Sequence, residues 1–340
     1  MTKRPDDADY LWDRTGEDKE VTRLEALLSP LEHDAPLDEL RLRRTRSRLP
    51  MLVGVAMAVA AMVAVIVWWQ WPSREDHGSV ACTAGVGFAF TAKGGDVACN
   101  GTALPGGVLP IGGTLDTGAN QAELAIANIG HAQLGARTIV RLDHTVIGKR
   151  HQLFLQEGKM HARVNAPPKI FAVATSSADV IDLGCEYTLE IDNTGAGTIH
   201  VLTGQVELET GNGAVMFAPA GTHGRLLPGR RASLPVSDRA APSFTAAVVK
   251  LEAGVPDGIG LVLAAAAKVD AITIANLARS APAADKRRVL ERLATLVAAP
   301  QCTTIDEALA DKDLFDMWFD EVYLVHIGAS DGVQRCPPAP

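Results

Sequence analysis

A mainly β domain, tethered by one membrane helix to a short helical N-terminal stub and followed by a small helical C-terminal region, is the architecture that the sequence predicts. Three observations carry it. Between Arg48 and Arg74 lie 25 consecutive uncharged residues, and Met51–Trp71 is apolar apart from Gln70; as a helix it spans roughly 31 Å, enough for a bilayer core. From about Cys82 to Pro235, short runs alternate apolar and polar residues between glycines, with hardly any helical periodicity. Past Pro242 the apolar residues return to helical spacing. The expected divisions are a stub at 1–49, a span at 50–72, a β domain at 73–240 and a helical region at 241–340.

In the stub, Val21, Leu24, Leu28 and Leu31 recur at helical spacing within 17–31, with Leu11 and Trp12 ahead of them. Glu17, Asp18 and Glu20 suit the positive end of that helix. So short a segment cannot bury its own stripe. A helix lying on the membrane would carry Lys and Arg on its polar face, whereas this one carries Glu17, Asp18, Glu20 and Glu25 against Lys19 and Arg23. A protein partner is the expected cover, contacted by Leu11, Trp12, Val21, Leu24, Leu28 and Leu31.

Arg41, Arg43, Arg44, Arg46 and Arg48 crowd the near side of the span, and the twenty residues beyond Pro72 contain Arg74 alone among lysines and arginines. The positive-inside rule therefore places the stub in the cytoplasm, with Trp68, Trp69 and Trp71 at the far headgroup level. A leader of about fifty residues argues against a cleaved signal peptide. All five cysteines follow the span, as expected of a part that faces an oxidising compartment. Cys82 and Cys99 bracket a Gly-rich stretch that reads as a hairpin, and Cys302 and Cys336 bracket the last helical unit. Each pair is expected to close a local disulfide, leaving Cys185 as a buried thiol at a strand start.

The expected strands are Glu123–Ile129, Gln152–Gln156, Met160–Val164, Ile170–Ala174, Glu186–Ile191, Thr198–Val201, Gln205–Glu209 and Ala214–Phe217, with turns at Gly158, Gly184, Gly204 and Gly211. Either a sandwich or a short solenoid fits them. The expected helices are Ile272–Ala278 capped by Asp270, Asp285–Ala298 with Val289, Leu290, Leu293, Leu296 and Val297 on one face, and Asp311–Val325 with Leu314, Phe315, Trp318, Phe319 and Val322 on another.

The charge excludes some functions. The net charge is −8, shared mildly as 10 basic against 12 acidic residues in 1–50 and 22 against 28 in 73–340, so direct nucleic-acid binding is not expected. Gly148-Lys149-Arg150 lacks the upstream glycine and the hydroxyl of a phosphate loop. No two cysteines lie within four residues of each other and no His completes a site, so neither a metal nor another cofactor is expected. His144, His151, His161 and His200 fall in or beside different β segments, where two can meet across strands, and His223 has no evident acid partner. With no catalytic constellation in view, enzymatic activity is not expected.

Several elements in order resemble the FecR-like domain family, over roughly residues 110–225. Gly113-Thr114-Leu115-Asp116-Thr117 with Ala122-Glu123-Leu124 is similar to its opening G-x-x-L-x-T strand. Asp182-Leu183-Gly184-Cys185-Glu186-Tyr187-Thr188-Leu189 resembles its central L-G-T-x-F element, with Cys185 and Tyr187 in place of threonine and phenylalanine. Thr203-Gly204-Gln205-Val206 and Ala218-Pro219-Ala220-Gly221 are similar to its late turns. The resemblance implies a periplasmic sensor domain held by one helix in the cytoplasmic membrane. It also implies a cytoplasmic segment that binds an extracytoplasmic-function sigma factor, an anti-sigma role, with a signalling partner in the periplasm or outer membrane. The competing expectation is an envelope scaffold whose β domain holds a glycan or a protein and whose stub is only an anchor.

Overall fold

The computed structural model describes residues 81–333, apart from 84, 146–149, 212, 230 and the side chain of 231. The stub, with Leu11, Trp12, Val21, Leu24, Leu28 and Leu31, and the span at 50–72 lie outside the described residues. Among those described, no helix is long and apolar enough to cross a membrane.

Strands with one apolar face need a second layer to cover it. Here two sheets share a core and one strand. Sheet A runs in the order β4 (Gly106–Pro110), β1 (Gly87–Lys93), β6 (Gln121–Ile126), β7 (Gly130–Leu134), the second half of β9 (His151–Val164), β12 (Glu186–Ile191), β13 (Gly197–Thr203) and β16 (Thr222–Leu227). Short β17 (Arg231–Ala232) and β18 (Val236–Ser237) pair with β16 at the edge. Sheet B runs β3 (Thr102–Leu104), β2 (Val97–Cys99), β5 (Thr114–Asp116), β8 (Ile139–His144), the first half of β9, β10 (Phe171–Ala174), β11 (Asp179–Asp182), β14 (Gln205–Glu209) and β15 (Val215–Pro219). All these pairings are antiparallel except β9 with β10, which is the pattern of a sandwich and not of a solenoid's parallel rungs.

The alternation read in the sequence fills that core. Leu124, Ala132, Ala162, Tyr187 and Val201, successive partners across sheet A, are all buried. Leu142, Leu153, Val173, Val180 and Leu208 line sheet B in the same way. The rings of Phe88 in sheet A and His151 in sheet B lie 5.8 Å apart.

Three expectations need correction. Gln152–Gln156 and Met160–Val164 are not two strands about a turn but one, β9, bent at Gly158. Its buried residues are odd-numbered before the bend (His151, Leu153, Leu155) and even-numbered after it (Met160, Ala162, Val164), so one extra residue passes the strand from sheet B to sheet A. Residues 127–129 turn away from β6, with Ala127 at φ 46°. The stretch bracketed by Cys82 and Cys99 is not a hairpin either: β1 joins sheet A and β2 joins sheet B. The Cys82–Cys99 disulfide does form, with Cα atoms 6.1 Å apart. Because the Cys82 carbonyl accepts from Val108 N of β4, it links the two sheets.

Six α-helices follow among the described residues: α1 (Pro242–Glu252), α2 (Gly258–Ala265), α3 (Ala271–Ser280), α4 (Ala283–Leu296), α5 (Ile305–Ala310) and α6 (Lys312–His326). The sequence reading anticipates α3, α4 and α6 and omits the others. Pro242 starts α1 at a position that needs no N–H donor. Thr304 and Glu307 form a reciprocal cap on α5. Asp270 stands at the N-cap of α3 as expected, but its carboxylate accepts from Ala267 N at 2.9 Å and not from the helix. Residues 271–278 of α3 are all buried. Its Asn276 side chain accepts from Phe217 N at 2.8 Å and donates to Phe217 O at 2.9 Å, so the amide stands in for a neighbouring strand along the outer edge of β15. Cys302 is disulfide-bonded; Cys336, its expected partner, lies outside the described residues.

Candidate functional site

The motifs that carry the family resemblance occupy the corners of the sandwich. In the first, Leu115 points into the core while the Thr117 hydroxyl donates to Gly135 O at 2.8 Å and accepts from Thr138 N at 2.9 Å, closing the turn after β5. In the second, the chain leaves sheet B at Asp182 and enters sheet A at Glu186. The buried Asp182 carboxylate holds that corner, accepting from Gly184 N at 2.6 Å and from the Cys185 thiol at 2.7 Å. A threonine hydroxyl could donate the same bond. Burial pushes the Cys185 thiol far up, with the Asp182 charge and their hydrogen bond adding to it. Burial raises Asp182 as well. The thiol therefore stays protonated and is a packing and hydrogen-bonding group, as its free, buried state expects.

The outward face of sheet A is polar and unusually rich in imidazole. Glu123, Gln133, His161, Thr188, His200 and His223 are successive cross-strand partners in a single row over β6, β7, β9, β12, β13 and β16. His200 and His223 sit directly opposite each other and share Asp238: His200 Nε2 lies 2.7 Å from Oδ2, and His223 Nδ1 2.9 Å from Oδ1. His223 thus has the acid partner that its sequence neighbourhood did not show. Burial acts to raise Asp238, but the hydrogen bonds and charges of the two histidines outweigh it and leave the carboxyl below its usual range. Along the same row, His161 Nε2 is 2.9 Å from Glu186 Oε1 and Nδ1 is 3.2 Å from the Thr188 hydroxyl.

A hydroxyl, an imidazole and a carboxylate in line are the parts of a nucleophilic triad. Here they stand on a sheet face and line none of the cavities described. They work as cross-strand links, whose contribution comes from pairing side chains on one sheet face. Among the described residues, no group of three His, Cys, Asp or Glu side chains is placed to hold a metal ion.

The row ends at the helices. Arg239, next to Asp238, donates to His326 O at 3.2 Å, and His326 Nε2 lies 2.9 Å from Ala220 O. That carbonyl fixes the neutral tautomer with the proton on Nε2, and leaves Nδ1 buried with no partner among the described residues. A second proton would find no acceptor there. Burial, the largest influence, and Arg239 lower the His326 pKa against the opposing pull of Ala220 O and Asp238. A folded-state pKa below the unfolded one means that the unfolded chain binds the proton first, so stability is present above the ordinary histidine range and falls as pH drops through it. Burial depresses His151 too, aided by the charge of His144. Urea unfolding of the full chain is expected to show stability decreasing from pH 7 to pH 5, and His326→Gln to flatten part of that slope. An unchanged slope in the variant would remove His326 from the account.

The six stub residues expected to meet a partner lie outside the described residues. Asp238, Arg239 and His326 escaped the sequence reading because each is far along the chain from the groups it meets. The family model described as FecR protein matches residues 113–207, from the threshold of β5 to the middle of β14. The resemblance read from the motifs is thereby shown for the centre of the sandwich. Two solved crystal structures of a candidate anti-sigma factor from Parabacteroides distasonis ATCC 8503 are similar to the chain. One is 17% identical, covers 40% of this chain and 64% of its own, and has a TM-score of 0.32. The other is 18% identical, covers 39% and 62%, and has a TM-score of 0.30. The chain therefore spans less than two thirds of the length of either. No curated protein matches it.

Proposed function

We propose that this protein is a single-pass regulator in the cytoplasmic membrane, an anti-sigma factor whose stub restrains an extracytoplasmic-function sigma factor and whose sandwich receives a signal on the far side. The observation that carries the proposal is the FecR match at residues 113–207, which falls on the β domain behind a 25-residue uncharged stretch and an arginine-flanked stub. The Cys82–Cys99 disulfide supports an oxidising location for that domain. The protein acts by binding, with no catalytic step.

The stub's apolar stripe provides the test. In the full chain, Leu24→Asp and Leu28→Asp each place a charge in the sigma contact, and each is expected to cost about 2–4 kcal/mol of binding. Glu25→Ala, off the stripe, is expected to have little effect. Co-purification and a sigma-dependent reporter read the result, with membrane abundance as the control. Unchanged partner recovery and reporter output in both aspartate variants, at normal protein levels, would favour the envelope scaffold over the regulator.

A further inference from the structure

A cavity of about 480 Å³ opens between residues 213–215 and helices α3 to α6, within the range of small-molecule sites. Its walls are of two kinds. Val215, Leu290, Leu309 and Phe315 supply apolar surface, while Arg279, Lys286 and Lys312 bring three positive charges against a single acid, Asp316. That surplus stands in a chain whose net charge is −8. Asp316 is already engaged by Arg279 Nη2 at 2.6 Å and by Lys312. Lys286, half-buried in α4, has no acidic partner among the described residues.

One of the three cations is packed in place. The Arg279 guanidinium lies over three rings, with centroids 4.4 Å away for Phe319, 4.8 Å for Phe217 and 5.5 Å for Phe315. Phe217 is itself held by Asn276 through both its backbone groups. The aromatic cluster holds one cation and Asp316 neutralises one charge, while Lys286 lines the same cavity as Leu290, Leu309 and Phe315 with no acid paired to it among the described residues.

From this juxtaposition we propose that the cavity binds a small organic acid, a monoanionic carboxylate with an alkyl or aryl body. The carboxylate pairs with Lys286 and the body lies on Leu309, Leu290 and Phe315. A neutral molecule of the same shape leaves the surplus charge unpaired, and a cation is repelled by it. The assignment is independent of the sigma-factor reading, because it concerns only groups of the helical layer and the β15 edge.

The test is calorimetric titration of the full chain in non-ionic detergent, blanked against empty micelles, with 4-phenylbutyrate, 4-phenylbutyramide and 4-phenylbutylamine. The acid is expected to bind saturably at one site and the amide and amine at least about tenfold more weakly. Lys286→Gln is expected to weaken the acid about tenfold and leave the amide unchanged. Leu309→Glu, at an exposed position, is expected to abolish acid binding. Equal affinity for acid and amide, no saturable binding of the acid, or an acid affinity indifferent to Lys286→Gln would each overturn the proposal. Should Leu309→Glu disturb the helices, the lysine variant and the acid–amide comparison still decide.

Discussion

Gly158→Ala is expected to destabilise the full chain by about 3 kcal/mol or more. Gly158 has φ 102°, a conformation that L side chains rarely adopt. A Cβ built there would lie 2.4 Å from the Thr138 Cα and Oγ1 atoms and 2.6 Å from Arg137 O. The obstacle is backbone, so no rotamer change relieves it. Thr138 is itself pinned: its amide donates to the Thr117 hydroxyl at 2.9 Å, and its own hydroxyl accepts from Lys159 N at 3.0 Å. Yielding to the methyl would break bonds on both sides of the bend where β9 changes sheets. Urea unfolding followed by circular dichroism measures the loss; an alanine variant within about 1 kcal/mol of the parent would show that the bend is not constrained in this way.

The second large effect is expected in the helical layer. Trp318 of α6 is fully buried, and its Nε1 donates to Val297 O at 3.1 Å, just past the end of α4. Trp318→Ala is expected to cost about 3–5 kcal/mol, from the cavity and from a carbonyl left without its donor. Trp318→Phe reduces the cavity contribution, because it keeps most of the apolar volume while removing the donor; about 1–2 kcal/mol is expected. The buried residues of the sheets and of α3, α4 and α6 form one continuous core, so both variants should shift a single transition followed by near-ultraviolet dichroism. A separate early transition for the helices, leaving the β signal at the parent midpoint, would refute that shared core.

How legible each element was depends on how local its cause is. Glu186–Ile191 and Gln205–Glu209 are readable because period-two alternation faces one buried layer along an unbroken run. The faces of α4 and α6 are readable for the same reason at the helical period. Strands β2 to β5 are only three to five residues long, too brief for an alternation to be read; they are strands because neighbours in both sheets supply hydrogen bonds. α3 shows why periodicity can mislead. Every residue from 271 to 278 is buried, since sheet edge and helices surround it, and no polar face remains to reveal its orientation.

The candidate sites divide along the same line. Chain spacing alone singled out Cys82 with Cys99, because that pair closes a local loop with a sequence separation of 17. The protonated, buried state of Cys185 also follows from its residue type and strand position. What the sequence by itself determined is the order of a charged stub, an uncharged stretch of bilayer length, alternating β runs and helical faces, together with the FecR motifs, since each depends on residues near one another in the chain. Tertiary structure alone decided that His200, His223 and Asp238 converge, that Asn276 seals the edge of β15, and that Arg279, Lys286 and Lys312 face one cavity. The first of those meetings depends on which strands pair and in what register, which the burial of a whole sheet face sets, and the other two on how the helices pack against the sheets in the shared core.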